Sequence, residues 1–390
     1  MDNSKQITIL FIHHASVLGG AELSFADLVS KLSSDISPVC AVPDGQLTQT
    51  LASRKIPVVI VPMRPIVKSP NPIYWLATGI NCLRVTFKLI GICHKEKIGV
   101  IHANSLTAGI YAAPVSFLCR IPMVWHERDL NRHSFLTPLI AKFAKRIIAI
   151  SNVVAENLKA QIGDSKKIQV IYNGIDVEFF NHAGTPVFPG LPAGKQTVLM
   201  AAQFVRWKGH TDFITMAFLV KENIPDAVFI FAGDKNRPDQ QKYIRELEAS
   251  IAEKGLKDNF VWTEFVEDMP YLLQNADCVV LPSAHEPFGR IVIEAMAAGK
   301  PVVSVKSGAI PEIIEDGVSG CLVEPGDCKL MAEAVCGLLK DKELARSMGE
   351  KGKLRVTQNF AIQRTVIEFE QLIKLLLTLL ILCGQLVQGF

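Results

Sequence analysis

Short apolar runs recur along this chain, each closed by small polar, histidine or glycine residues and followed by a longer segment of helical spacing. In the first half the runs predict strands over residues 6–13, 37–42, 57–62, 99–103, 122–125, 146–151 and 168–172. The first leads through His13, His14, Ala15 and Ser16 to Gly19 and Gly20, and a helix is expected from Ala21 to about Leu32. In the second half strands are expected over 197–202, 227–232, 258–262 and 277–281, with another beginning at Val302 and Val303. Helices are expected over 268–275, 327–339, 342–351 and from Ile362 onward. This alternation argues for parallel sheets with helices on both faces. Between the halves, residues 182–194 (HAGTPVFPGLPAG) are rich in proline and glycine without periodicity and read as a linker. The expected division is therefore 1–181, a linker over 182–195, a second domain over 196–360, and a C-terminal helix with an apolar tail over 361–390.

Chemistry concentrates at 281–303, LPSAHEPFGRIVIEAMAAGKPVV. A strand ends at Leu281, a loop holds Glu286, Pro287, Phe288 and Gly289, and a helix through Arg290, Ile291 and Glu294 stops at Gly299, because Pro301 forbids its continuation. Glu286 and Glu294 are eight residues apart, one in the loop and one two turns into the helix. Both carboxylates can face a ligand docked at the helix start, where Gly289 admits close approach and first-turn N–H groups favour an anion. Two acids beside an anion-binding helix end suit a molecule with hydroxyls at its ends and phosphates between, such as a nucleotide sugar. Taken alone, two glutamates at this spacing are also what a solvated helix face looks like.

Together with the following SGAIPEIIEDGVSGCLVEPGD (307–327), the stretch resembles the donor site of family 4 retaining glycosyltransferases of the GT-B architecture. The match rests on Glu286, Pro287, Phe288, Gly289, Glu294, Gly299, Pro301, Gly308, Pro311, Glu312, Gly317, Gly320 and Pro325, and extends more weakly over 6–370. The resemblance implies an α/β fold, GT-B, of two Rossmann-like doubly wound domains facing each other across a cleft. The N-terminal domain would bind the acceptor and the C-terminal one the donor, and the last helix would cross back onto the N-terminal domain. It implies a hexosyl- or N-acetylhexosaminyl-transferase that retains anomeric configuration and uses a UDP- or GDP-sugar.

By the same resemblance Glu294 takes the ribose hydroxyls and Glu286 the hydroxyls of the transferred sugar, with Phe288, Gly289, Arg290 and Ile291 completing the loop and helix start. Lys208 meets the diphosphate. Gly19 and Gly20 lie under the donor phosphates and sugar, and His126, at an expected strand end, sits near the transferred sugar. Gly233 and Asp234 (FAGD) are a family hallmark, and the loop holding Glu264 and Phe265 lies near the base. The chain departs from the pattern at Gln203, where an arginine is usual; Arg206 in the next loop is the expected substitute. No D-x-D tripeptide ends an expected strand, so no metal is expected, and no cofactor beyond the nucleotide-sugar co-substrate. Competing readings are a nucleotide-sugar epimerase on the same fold, a sugar-phosphate phosphorylase, and a non-catalytic nucleotide-sugar-binding partner.

Composition narrows the picture a little. At 390 residues there is room for two full cores, and a net charge of +3 with no base-reading motif argues against nucleic acid. Nine scattered cysteines without a C-x-x-C pair read as reduced thiols of a cytoplasmic protein. No signal peptide and no central transmembrane helix is expected, and the apolar 372–383 is too short to span. Between Arg54 and Lys97 the bases Arg54, Lys55, Arg64, Lys68, Arg84, Lys88, Lys95 and Lys97 face one acid, Glu96, around an apolar segment at 73–92. Such a segment fits a solvated helix face or an anionic membrane surface as partner. With the resemblance it leans towards a lipid-linked or polysaccharide glycan acceptor.

Overall fold

The computed structural model describes residues 6–67, 69–130, 135–163, 165–181, 190–192, 194–263 and 268–382. Contacts divide the chain into two units, Met1–Gly174 with Ile362–Phe390, and Ile175–Ala361. Unit 1 runs β1 (Ile7–Ile12), α1 (Gly20–Ser30), β2 (Ile36–Val42), α2 (Gln46–Ser53), β3 (Val58–Ile60), α3 (Pro72–Lys95), β4 (Val100–Ala103), α4 (Leu106–Cys119), β5 (Met123–Glu127), α5 (Leu136–Phe143), β6 (Ala144–Ala149), α6 (Asn152–Ile162) and β7 (Ile168–Val170). Its strands pair in parallel in the order β3-β2-β1-β4-β5-β6-β7. Unit 2 runs β8 (Thr197–Ala201), α7 (His210–Asn223), β9 (Val228–Ala232), α8 (Gln241–Glu253), β10 (Phe260–Thr263), α9 (Met269–Gln274), β11 (Cys278–Leu281), α10 (Arg290–Ala297), β12 (Val302–Val305), α11 (Ile310–Ile313), β13 (Cys321–Val323), α12 (Cys328–Lys340) and α13 (Lys342–Asn359). Its parallel order is β10-β9-β8-β11-β12-β13.

A parallel sheet covered on both faces needs strands apolar on both sides, and Ile9, Leu10, Phe11 and Ile12 of β1 are all fully buried. Helix starts follow capping chemistry. Ser105 accepts the Ala108 N–H at 3.0 Å to open α4, Ser151 accepts that of Val154 at 3.2 Å to open α6, and Asn71 with Pro72 opens α3. The last helix, α14 (Ile362–Leu382), belongs to unit 1. Its Phe369, Leu372, Ile373 and Leu376 are buried in the same core as Phe11 and Phe25. Glu370 accepts from the Ser33 N–H at 2.7 Å, and Lys374 pairs with Asp35 at 2.9 Å.

Several expectations need correction. Unit 1 ends at Gly174, not at 181, and the 3-10 turn Val177–Phe180 belongs to unit 2, where the Phe180 carbonyl accepts from Gln274. Of the expected linker, residues 182–189 and 193 lie outside the described residues, as do 383–390 of the tail. The strand β13 and the short helix α11 lie in stretches read only as motif, and α13 continues eight residues past 351 to Asn359. By length and composition α3 is long and apolar enough to cross a membrane, against the expectation that no central segment is; 28 % of its most apolar window is buried.

Candidate active site

In a doubly wound sheet, ligands sit outside the carboxyl ends of the strands where the winding reverses. That place is between β1 and β4 in unit 1 and between β8 and β11 in unit 2. Most residues singled out from the sequence lie just past these four strands or their neighbours β5 and β9.

In unit 2 the loop after β8 meets the loop after β11. Lys208 Nζ lies 2.7 Å from Glu286 Oε2, with side-chain exposures of only 16 % and 9 %. The ammonium also stands 4.1 Å from the centroid of the Trp207 ring, which sees it face-on as a cation–π partner. Two glycines make this approach possible. Gly209 has φ +80°, and a Cβ there would lie 2.2 Å from the Pro282 carbonyl oxygen. Gly308 has φ +56°, and a Cβ there would lie 2.1 Å from the Glu286 carbonyl oxygen. The same Glu286 carbonyl accepts the Ala309 N–H at 2.9 Å, and the Trp207 carbonyl accepts that of Ala284 at 2.9 Å. Both loops are thus clamped through backbone, and Glu286 is held from two sides.

Gly289 starts α10 in left-handed conformation and packs on Ile310, and it has no side chain to cap the helix. One turn on, Arg290 Nε lies 2.6 Å from Glu294 Oε1, an i,i+4 pair with both side chains largely buried. Ile291 is half-buried beside them. Phe288 is buried with its ring 6.0 Å from that of Phe360, so packing accounts for it. Gly233 ends β9 where a Cβ would lie 2.5 Å from the Ala202 carbonyl, and Asp234 accepts the Asn236 N–H at 2.9 Å in an Asx turn. Arg206 is not gathered with Lys208: its exposed guanidinium pairs with Glu246 of α8 and lies over the Tyr243 ring. Phe265 lies outside the described residues.

In unit 1 the strand ends carry a buried chain of polar groups. His13 Nε2 bonds Glu22 at 2.8 Å, its Nδ1 bonds Asn104 at 2.8 Å, and Arg128 donates to both Asn104 and Asn173 at 2.8 Å. His14 bonds Ser105 at 2.9 Å. Gly19 precedes α1 with extended backbone, Gly20 is exposed, and among the described residues no side chain caps α1. His126 lies within β5 and is 2 % exposed, with Nδ1 3.2 Å from Nε2 of His102. Burial, then the Arg128 charge, then the other ring of the pair hold His126 well below the ordinary histidine pKa; burial, Arg128 and His13 do the same for His102. Two neutral imidazoles sharing one hydrogen bond fix each other's tautomer. His126 Nε2 and His102 Nδ1 are buried with no protein partner among the described residues.

Other titrations are shifted here too. Burial, reinforced by His13, lowers His14 to about 4. Burial works to raise the Glu22 carboxyl, but the His13 hydrogen bond and charge outweigh it and hold it below the usual range. Burial, with Asp129 adding to it, raises Glu127 to about 8.

Sequence reasoning missed the His13–Glu22 and His102–His126 pairs, the buried hydroxyl of Ser283, which has no partner among the described residues, and the Trp207 ring. Only the doublet at His13 and His14 gave a signal. Among the described residues no group of three His, Cys, Asp or Glu side chains gathers in a metal-ligating arrangement. A cavity of about 340 Å³ lined by Cys93, Lys97 and Arg120 lies at the amino ends of β4 and β5, the end of a parallel sheet where ligands of this fold do not bind.

Two family models meet on this chain: Glycosyl transferases group 1 matches residues 186–355, which hold the Lys208, Glu286 and Glu294 site, and Glycosyltransferase Family 4 matches 18–179. The chain belongs to the family 4 glycosyltransferases. The solved structure of Anabaena HepE with UDP and glucose matches this glycosyltransferase with a TM-score of 0.81 at 26 % identity, covering 95 % of this chain and 100 % of that one. Sucrose-phosphate synthase of Thermosynechococcus elongatus, at 20 % identity over 96 % of this chain and 100 % of its own with a TM-score of 0.77, shows the fold alone. The architecture is therefore GT-B. Among curated relatives, the N-acetyl-alpha-D-glucosaminyl L-malate synthase of Bacillus anthracis is 28 % identical over 74 % of this glycosyltransferase and 77 % of its own length. The UDP-Gal:alpha-D-GlcNAc-diphosphoundecaprenol alpha-1,3-galactosyltransferase of Escherichia coli is 25 % identical over 75 % and 79 %.

Proposed function

We propose that this glycosyltransferase moves a hexose or N-acetylhexosamine from a UDP- or GDP-sugar to a hydroxyl of a lipid-linked or polysaccharide glycan. On this reading it retains anomeric configuration, needs no metal or cofactor, and works in the cytoplasm at the inner membrane face. The observation that carries the reading is the pairing of Lys208 with Glu286 at the reversal point of the unit 2 sheet, with Glu294 on the helix that follows. UDP is favoured over GDP because Anabaena HepE was solved with UDP and with UDP-glucose. A carrier-linked acceptor is favoured by the relative that acts on a diphosphoundecaprenol.

Breaking the glycosidic bond builds charge on the leaving diphosphate, and stabilising that charge is the main electrostatic task. Lys208, together with the start of α10, takes it. As Lys208 turns to the phosphate, the Glu286 carboxylate is released to accept hydroxyls of the sugar, and Glu294, held by Arg290, accepts the ribose hydroxyls. On this reading unit 1 binds the acceptor through polar groups at the ends of β1 and β4.

A thermal-shift panel of UDP, GDP, ADP and their sugars, with chelator present, tests this on wild type and Glu294→Ala. The expected result is a shift with uridine ligands that the variant loses. No shift with any nucleotide, or a shift the variant keeps, sinks the site.

A further inference from the structure

Helix α3 has two apolar faces, and among the described residues only one is packed on the protein. Val85, Leu89, Ile92 and Cys93 are buried, and Asn81 donates to the Tyr111 hydroxyl of α4 at 3.2 Å, so this side is docked on the protein. On the opposite side Ile73, Leu76, Ile80, Leu83 and Phe87 recur at alternating spacings of three and four and stand exposed, Leu83 at 62 % and Phe87 at 71 %. Arg84 and Lys88 lie along one flank of this stripe, and no carboxylate pairs with either among the described residues. Lys88 Nζ is tied to the Ile60 carbonyl at 2.7 Å, which holds its charge beside the helix. At the carboxyl end, exposed Phe117 and Leu118 of α4 add apolar surface, and His94, Lys97 and Arg120 line one cavity. Trp75, half exposed near the amino end, is the amphipathic ring that prefers a membrane interface.

We infer that the outer face of α3 is a docking surface for an anionic lipid bilayer, with the helix lying in the plane of the interface. An apolar stripe flanked by unpaired cations is what such an interface binds. Two other occupants of the stripe fit less well. In a seam between two copies, Arg84 and Lys88 would meet like charges, since Glu96 is the one acid between Arg54 and Lys97 and already pairs with Lys95 at 3.3 Å. Spanning the bilayer would strip the docked face from α4 and leave Asn81 without its hydroxyl partner. The inference rests on the proposed work at a membrane face and gives it a surface, but it is separate from the donor reading, so a failed vesicle test leaves the donor site standing.

The test is co-sedimentation of the full chain with phosphatidylcholine vesicles, with and without phosphatidylglycerol. It compares wild type, Leu83→Ser with Phe87→Ser, and Arg84→Glu with Lys97→Glu. Wild type should bind the anionic vesicles and release at high salt. The serine pair should weaken binding about tenfold or more, and each charge reversal about fivefold or more. A variant that keeps the wild-type far-ultraviolet spectrum and melting temperature has folded, and the charge pair stands in should the serine pair not fold. Wild type that ignores anionic vesicles, or variants that bind as wild type does, would overturn the inference. So would a concentration-dependent dimer abolished by the serine pair, which would give the face to a second copy.

Discussion

Lys208 and Glu286 meet as ions at 2.7 Å in unit 2, whereas the strand ends of unit 1 bury His102 and His126 as neutral rings joined by one hydrogen bond. The difference follows from what each place can solvate. Lys208 keeps some exposure and a π face beside the Glu286 carboxylate. His126 is buried, which removes its charge and leaves Nε2 without a protein partner among the described residues. Unit 2 thus sets a Lys–Glu pair at its reversal point, while unit 1 buries two neutral rings beside the Arg128 guanidinium.

Four measurements would break or sharpen this contrast. The largest effect belongs to Lys208→Ala, which should lower kcat/KM by about 10²–10³-fold; near wild-type turnover would show that charge at this place is not used. Gly308→Ala forces a Cβ onto the Glu286 carbonyl, and should cost about 2–4 kcal/mol in denaturant unfolding and most of the activity. An unchanged midpoint would mean the loop gives way freely.

The third concerns pH. A histidine with a depressed folded pKa stays neutral in the fold while the unfolded chain takes a proton. Its contribution is whole above about pH 6.5 and is lost as pH falls below that, by about 1.4 kcal/mol per pH unit per group. Unit 1 has three such histidines, His14, His102 and His126, and unit 2 has His210, lowered to about 3 by burial and then Lys208. Glu127, raised to about 8, runs the other way: its contribution shrinks as pH climbs from about 4.5 to 8. The net proton count still favours the histidines of unit 1, so its calorimetric transition should fall faster than that of unit 2 between pH 6.5 and about 4.5. Parallel transitions would remove the proposed asymmetry. Last, Arg206→Ala should change donor affinity by less than about threefold, because its exposed pair with Glu246 is worth little. A larger loss in titration with UDP would restore it as the partner of Lys208.

The strands of both sheets were legible because parallel strands buried on both faces must be continuously apolar, and only β13, three residues with two half-buried, escaped. The motif around Glu286 and Glu294 was legible because glycine and proline mark where a loop must turn. Less legible was α3, whose apolar residues blurred into one run because two faces carry them.

What residue order settled is local: which segments form strands and helices, where caps and prolines end them, and which acids and bases lie near each turn. Those choices depend on neighbours within a few residues. Folding in space decided which of these groups meet. The 2.7 Å approach of Lys208 and Glu286, 78 positions apart, needs the reversal between β8 and β11 and two residues without a Cβ. The burial of His126 and the displacement of Arg206 onto α8 are likewise consequences of packing, because burial and contact are set by the whole fold.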